Sequence, residues 1–241
     1  MAENYKVVML SDTHNMHSLV DLPDGDLLIF AGDMSGRGFK NEVKDFLSWL
    51  KRVSRRYTFG SVFIAGNHDR SFDPKYCQEY EDQMQPDHEG KPLWLTDMLQ
   101  EYANPEYGVR YLENETVTIK DLKIWGSPFT PWFYGEYWAF NKYRGEEINE
   151  IWKTIPTDAD IIVTHGPTHG TLDFVYNQNI HVGCEDLAKV VEAIKPKLFV
   201  CGHIHEGYGM TKRFGSIYVN ASICDVGYKP VNKPKTISIT K

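Results

Sequence analysis

No uninterrupted apolar stretch in this chain approaches the roughly 18 residues a membrane-spanning helix needs, so no membrane association is expected. Cysteine is sparse. Cys77, Cys184, Cys201 and Cys224 form no C-x-x-C pair, which argues against a disulfide framework or a thiolate zinc site. Cys201 closes an apolar run and reads as a small core residue. Excess positive charge is missing as well. A net charge of −7 at pH 7 disfavours extended nucleic-acid binding, whose affinity comes mainly from Lys and Arg on phosphates. A small anionic substrate stays open, because bound divalent cations invert a local field. Repeats and low-complexity tracts are lacking, and the first strand-like run starts too early to leave room for a signal peptide. A reducing cytoplasm is the expected home.

What is present is ordinary for a globular protein: 241 residues, 41% hydrophobic and 24% charged. That length buries one full core, so a single domain over residues 1–241 is expected.

Five apolar runs each end in a short cluster of metal-ligand residues. KVVML leads into Ser11-Asp12-Thr13-His14, DLLIFA into Gly32-Asp33, and SVFIA into Gly66-Asn67-His68-Asp69. Later, DIIVT leads into His165-Gly166 and KLFVC into Gly202-His203-Ile204-His205. Buried parallel strands read as such runs, and open α/β sheets place their ligand sites at the strands' carboxyl ends. The five tips are therefore expected to meet at one rim.

Between them, Val43, Phe46, Leu47, Leu50 and Val53 recur at helical spacing over Asn41 to Arg56, an amphipathic crossover helix. Residues 73–92 read as a polar, irregular excursion, followed by a short helix over Leu93 to Tyr102. VRYLENETVTI and LKIWGSP alternate like strands around an Asn114-Glu115 turn and predict a meander or hairpin. An aromatic-dense insertion near 126–145 follows. Helices are expected over Glu146 to Lys153 and Glu185 to Lys195, then strands in SIYVNAS and TISIT. The fold class is α/β: two packed mixed β-sheets flanked by helices, an αββα sandwich.

The ligand set combines imidazole nitrogen with carboxylate and amide oxygen and contains no thiolate. That suits manganese, iron or zinc, and holds too many histidines for a calcium or magnesium cage. Asp12, His14, Asp33, Asn67, His165, His203 and His205 are too many donors for one tetrahedral ion. Two divalent ions sharing Asp33 is the economical arrangement, with manganese first and iron, zinc, nickel or cobalt as alternatives. Such a pair, about 3.5–4 Å apart, clamps an ester phosphate and holds a hydroxide for in-line attack.

D-x-H, G-D, G-N-H-D, H and G-H-x-H in this order resemble the calcineurin-like metallophosphoesterase superfamily. Trp125-Gly126-Ser127-Pro128, Trp138-Ala139-Phe140-Asn141, Thr164-His165-Gly166-Pro167 and Val219-Asn220-Ala221-Ser222 are similar to its metallophosphoesterase-domain-containing branch, associated with phosphodiester and cyclic-nucleotide hydrolysis. The resemblance implies that Asp12, His14 and His205 hold one metal, that Asn67, His165 and His203 hold the other, and that Asp33 bridges. It also implies that His68 acts beside the scissile phosphate, with Asp69 fixing its tautomer and orientation. Gly36 stands where purple acid phosphatases carry a metal-binding Tyr, so no iron–tyrosinate centre is expected. Arg37 occupies the place of a phosphate-binding Arg in phosphoprotein phosphatases.

Trp132, Phe133, Asn141 and Tyr208 are further candidates for substrate contact. His17, His88 and His181 receive no role, and His169 reads as an exposed loop residue. The expected activity is dimetal-dependent hydrolysis of small phosphodiesters such as cyclic nucleotides. The alternatives are a phosphomonoesterase, including a phosphoprotein phosphatase, and a non-catalytic metal-binding scaffold. Oligomeric state is left open.

Overall fold

The structure, a computed structural model, describes residues 3–85, 90–135 and 137–240, so His88 lies outside the described residues. The first half contributes β1 (Asn4–Leu10), β2 (Leu27–Ala31), α1 (Lys40–Ser54), β3 (Ser61–Ile64), α2 (Pro74–Glu79), α3 (Glu81–Met84), α4 (Leu93–Tyr102) and β4 (Val109–Tyr111). Next come β5 (Glu115–Ile119), β6 (Leu122–Ser127), β7 (Thr130–Pro131), β8 (Asn141–Lys142), α5 (Glu146–Trp152) and β9 (Ile161–Thr164). The remainder holds β10 (Phe174–Val175), β11 (Ile180–His181), α6 (Glu185–Ile194), β12 (Leu198–Cys201), β13 (Gly209–Arg213), β14 (Ser216–Asn220) and β15 (Lys235–Thr240).

Two large mixed sheets form, ordered β15-β1-β2-β3-β4 and β13-β14-β12-β9-β6-β5. The central pairs β1–β2, β2–β3, β9–β12 and β6–β9 are parallel, while β15 and β13 close edges antiparallel. Strand alternation sorts the core. Val7, Met9, Ile29 and Val62 point inward against Ile124, Ile161, Val163 and Val200 of the facing sheet. Val8, Leu28, Phe30 and Phe63 point outward to meet Phe46, Leu47 and Leu50 of α1. On the other side Trp125, Ile162 and Phe199 pack against Ile148 and Trp152 of α5 and Leu187 and Val191 of α6. This is the αββα sandwich. Each buried side chain of this size contributes about 1.5–3 kcal/mol relative to exposure. Among the described residues no helix is long and apolar enough to cross a membrane.

Two local expectations are only partly met. Residues 73–92 are not irregular throughout: α2 and α3 lie there, and Tyr76, Cys77 and Met84 are buried against the first sheet's outer layer. Asp73 caps α2 by accepting from Lys75 N at 2.9 Å, with Pro74 at the first helical position. The expected hairpin forms between β5 and β6, with Ile119 opposite Leu122, but the Asn114-Glu115 turn does not close one. β4 pairs with β3 in one sheet and β5 with β6 in the other, so the chain crosses between sheets there.

The sheets are stitched together at the carboxyl end of β1. Ser11 bridges Ser222, with Ser11 N donating to Ala221 O at 3.0 Å and Ile223 N to Ser11 O at 2.9 Å.

Candidate metal centre

All five ligand-bearing tips lie at the carboxyl ends of β1, β2, β3, β9 and β12, where the strands stop and their loops turn over the rim. The backbone there is unusual. Asp12, His14, Asp33 and His203 all have positive φ, at 50°, 41°, 57° and 66°. Such conformations are costly for non-glycine residues and collect at functional sites. Two glycines make room for the carboxylates. A Cβ on Gly66 would stand 2.3 Å from Asp33 Oδ1, and one on Gly202 would stand 2.1 Å from Asp12 Oδ2.

The seven expected ligands come together. Asp12, His14 and His205 place one donor atom each within 4.8 Å of one another, and so do Asp33, His165 and His203. His14, Asp33 and His68 form a third such group. Asp33 Oδ2 lies 3.2 Å from His165 Nε2 and 3.9 Å from His14 Nε2, so it stands between the two halves. Asn67 Oδ1 reaches His165 Nε2 at 3.0 Å. Asp12 Oδ1 is 3.3 Å from His205 Nε2, and His14 Nε2 faces His205 Nε2 at 3.3 Å.

Backbone carbonyls decide which ring nitrogen is available. His165 Nδ1 meets Ala31 O at 2.9 Å, His205 Nδ1 meets Asp225 O at 2.8 Å, and His68 Nδ1 meets Gly36 O at 2.8 Å. A carbonyl only accepts, so Nδ1 carries the proton in each ring and Nε2 is left to the centre. Converging imidazole Nε2 atoms beside buried carboxylates are a donor set that fits two divalent cations.

The charges tell the same story. Burial opposes the Asp12 carboxylate, but the hydrogen bond and charge of His205 prevail and hold it below the usual range. Burial likewise opposes Asp33, which His165 and His68 hold well below that range. Burial pulls His165 and His205 down, yet Asp33 beside the first and Asp12 beside the second carry both up to about 9. Burial, with the charge of His165 adding, takes His203 down to about 3 against the opposing pull of Asp33 and Asp12. Burial takes His14 down to about 4.

Asp69 departs from expectation. Its carboxylate accepts from Gly66 N at 2.8 Å, Ser35 N at 3.0 Å, Ser35 Oγ at 2.6 Å and Met34 N at 3.3 Å. It ties the Asp33 and Asn67 loops together from beneath, and the partner of the His68 ring is the Gly36 carbonyl. Burial, with Asp33 adding, raises Asp69 to about 7.

The other candidates divide. Phe133 enters the site, its ring 4.8 Å from that of His203. Trp132 stacks on Tyr143 at 5.9 Å, away from the cleft. Asn141 accepts from Thr130 Oγ1 and donates to Trp138 O. Tyr208 donates to Lys233 O at 2.8 Å, tying down the C-terminal segment. Arg37 is exposed, and Glu42 holds its backbone. None of these four lines the cleft over the centre.

Two aromatic residues were missed. Trp138 lies 4.6 Å from His68, ring to ring, and its signal was the W-A-F-N motif. Tyr228 lies 4.8 Å from His14 and 5.6 Å from His205, ring to ring, on a loop with no signal in the sequence. With Phe133 they wall a cleft of about 290 Å³ whose floor includes Asp33, Asn67 and His68.

Comparison with known proteins agrees with this geometry. The family model for calcineurin-like phosphoesterase matches residues 5–207. Metallophosphoesterase domain-containing protein 1 of Homo sapiens and that of Mus musculus are each 40% identical over 238 residues, covering 97% of this chain and 71% of theirs. The TT1561 protein of Thermus thermophilus superposes with a TM-score of 0.57 at 12% identity, covering 98% of this chain and 99% of its own. That last likeness is one of fold.

Proposed function

Because the chain belongs to the calcineurin-like phosphoesterase family, we propose that it is a dimetal hydrolase of small phosphodiesters, with cyclic nucleotides as candidate substrates. The observation that carries the reading is Asp33, whose Oδ2 serves both ligand groups. In this reading Asp12, His14 and His205 hold one ion, Asn67, His165 and His203 hold the other, and manganese is the first choice of metal. When bound, the pair supplies positive charge for the phosphoryl oxygens and activation of water.

The chain's own residues do the rest. His68 forms part of the floor with Nδ1 tied to Gly36 O, which leaves Nε2 as the nitrogen that would pass a proton to the leaving oxygen. Its backbone N donates to Asp33 Oδ1 at 2.8 Å, which holds nucleophilic and acidic parts in one frame. Phe133, Trp138 and Tyr228 wall the cleft with aromatic rings on the substrate side.

Charge favours diesters over monoesters. No Lys or Arg lines the cleft among the described residues, so a dianionic monoester would find no ammonium or guanidinium there. Arg37, the residue that favoured a monoesterase, lies outside the lining. Chelated protein reconstituted with manganese should hydrolyse bis-p-nitrophenyl phosphate faster than p-nitrophenyl phosphate. Strong monoester preference under manganese, iron and zinc would defeat the diesterase reading. Metal binding without turnover of either ester would point to a scaffold.

A further inference from the structure

A second cavity, of about 450 Å³, opens beside the centre. Phe133, His203 and Ile204 line both it and the metal cleft, so the two spaces share a wall. Its remaining surface comes from the Pro131–Tyr134 segment, from Arg144 and the Gly166-Pro167 turn, and from the β10–β11 ribbon, where Val175, Ile180 and Val182 make it largely apolar.

The ribbon is braced. Arg144 donates to Val182 O at 2.7 Å and to Gly183 O at 2.8 Å. Asp173 is fully buried and accepts from Gly170 N and Gly183 N, both at 2.9 Å. Its other oxygen lies 2.6 Å from His181 Nδ1. That leaves His181, which lines the cavity, with Nε2 lacking a hydrogen-bond partner among the described residues. The buried Asp173 carboxylate thus braces two backbone amides and also orients the imidazole, whose polar edge meets a largely apolar space.

We infer that this cavity receives the non-leaving organic substituent of the phosphoester, and that it selects a flat ring with a hydrogen-bonding edge. The inference rests on the phosphoesterase reading for its chemistry. Phe133 and Ile180 give the ring its apolar faces, and His181 meets its polar edge. His181 and Ile180 are thus specificity-determining residues. Continuity with the metal cleft sets the occupant: a phosphate on the centre has only the width of Phe133 and His203 between it and the cavity.

The test uses manganese-loaded protein and two pairs of probes. Bis-p-nitrophenyl phosphate and methyl p-nitrophenyl phosphate share a leaving group and differ in the retained substituent. Phenylphosphonate and methylphosphonate differ in the same way and need no turnover. The aryl member should win in each pair, by roughly tenfold or more in kcat/KM and in affinity. Ile180→Asp, at a half-exposed position that tolerates change, should collapse both ratios toward one. His181→Ala should lower the preference for a ring with a polar edge, such as 4-pyridyl over phenyl phosphonate, and His181→Gln should restore part of it. Equal aryl and methyl values in the unaltered protein, or ratios untouched by Ile180→Asp, would overturn the inference. Aryl-selective binding without any hydrolysis would keep the cavity and reject the hydrolase instead.

Discussion

His68 and Asp33 make separable contributions. Removing the His68 ring takes away a proton donor while the seven expected ligands stay in place. His68→Ala should lose about 10²–10⁴-fold in kcat with its manganese content unchanged by elemental analysis. Full activity in that variant would remove the acid role. Asp33→Ala strikes both halves at once, since Asp33 Oδ2 serves His14 and His165 together. It should lose activity and bind fewer than two ions per chain; two retained ions would exclude bridging. The ligand residues were legible because each follows an apolar run, which fixes the strand end and hence the rim. The aromatic wall was legible only in part. Phe133 and Trp138 lie on an irregular segment with no periodicity to say which rings turn inward, so Trp132 was chosen where Trp138 belongs. Asp69 was misread for a related reason: sequence adjacency to His68 says nothing about where a carboxylate on a tight turn points.

The segment after β2 shows how one helix start steadies the site. Glu42, in the first turn of α1, accepts from Phe39 N at 2.9 Å, Arg37 N at 3.1 Å and Gly36 N at 3.3 Å. It also accepts from Asn15 Nδ2 at 2.7 Å, next to His14. The loop it secures contains the carbonyl that holds His68. Glu42→Ala should cost about 1 kcal/mol in urea unfolding, the usual scale for a lost helix cap. It should also lower kcat with manganese still bound, and Glu42→Gln should recover most of both. An unchanged kcat would show that Gly36 is held well enough without Glu42. The long amphipathic elements, α1 and α6 above all, were readable from period alone. The six-residue α2 is too short to display a period, and β4 and β5 alternate alike although they serve different sheets.

Across the whole molecule, protons and metal compete for the same nitrogens. His165 and His205 sit at about 9 in the folded chain against an ordinary value of 6.5, because Asp33 and Asp12 are buried beside them. A raised imidazole contributes stability that is fully present below about 6.5 and is lost as pH rises through about 9. Chelated protein should therefore lose thermal stability across that window. The manganese-bound form releases those protons, so its affinity should climb over the same range and the gap in Tm should widen. Calorimetry from about pH 6 to 9 with and without EDTA reads both slopes. A gap that narrows as pH rises would contradict the proton–metal exchange. The sandwich itself was legible as a pattern of runs, whereas β13 and the two short ribbons carry too few apolar residues to announce themselves.

Asp12 accepts from Ser222 Oγ and faces His205, partners supplied by the far end of the chain. During synthesis, then, the emerging polypeptide owns only fragments of a chelate. Selection among cellular metals is postponed until β12 has joined β9 and the second sheet has closed on the first. No partial assembly offers both carboxylates together with His165, His203 and His205. A polypeptide truncated after Trp152, which lacks His165, His203 and His205, should accordingly bind fewer than two manganese ions per chain, which equilibrium dialysis would reveal.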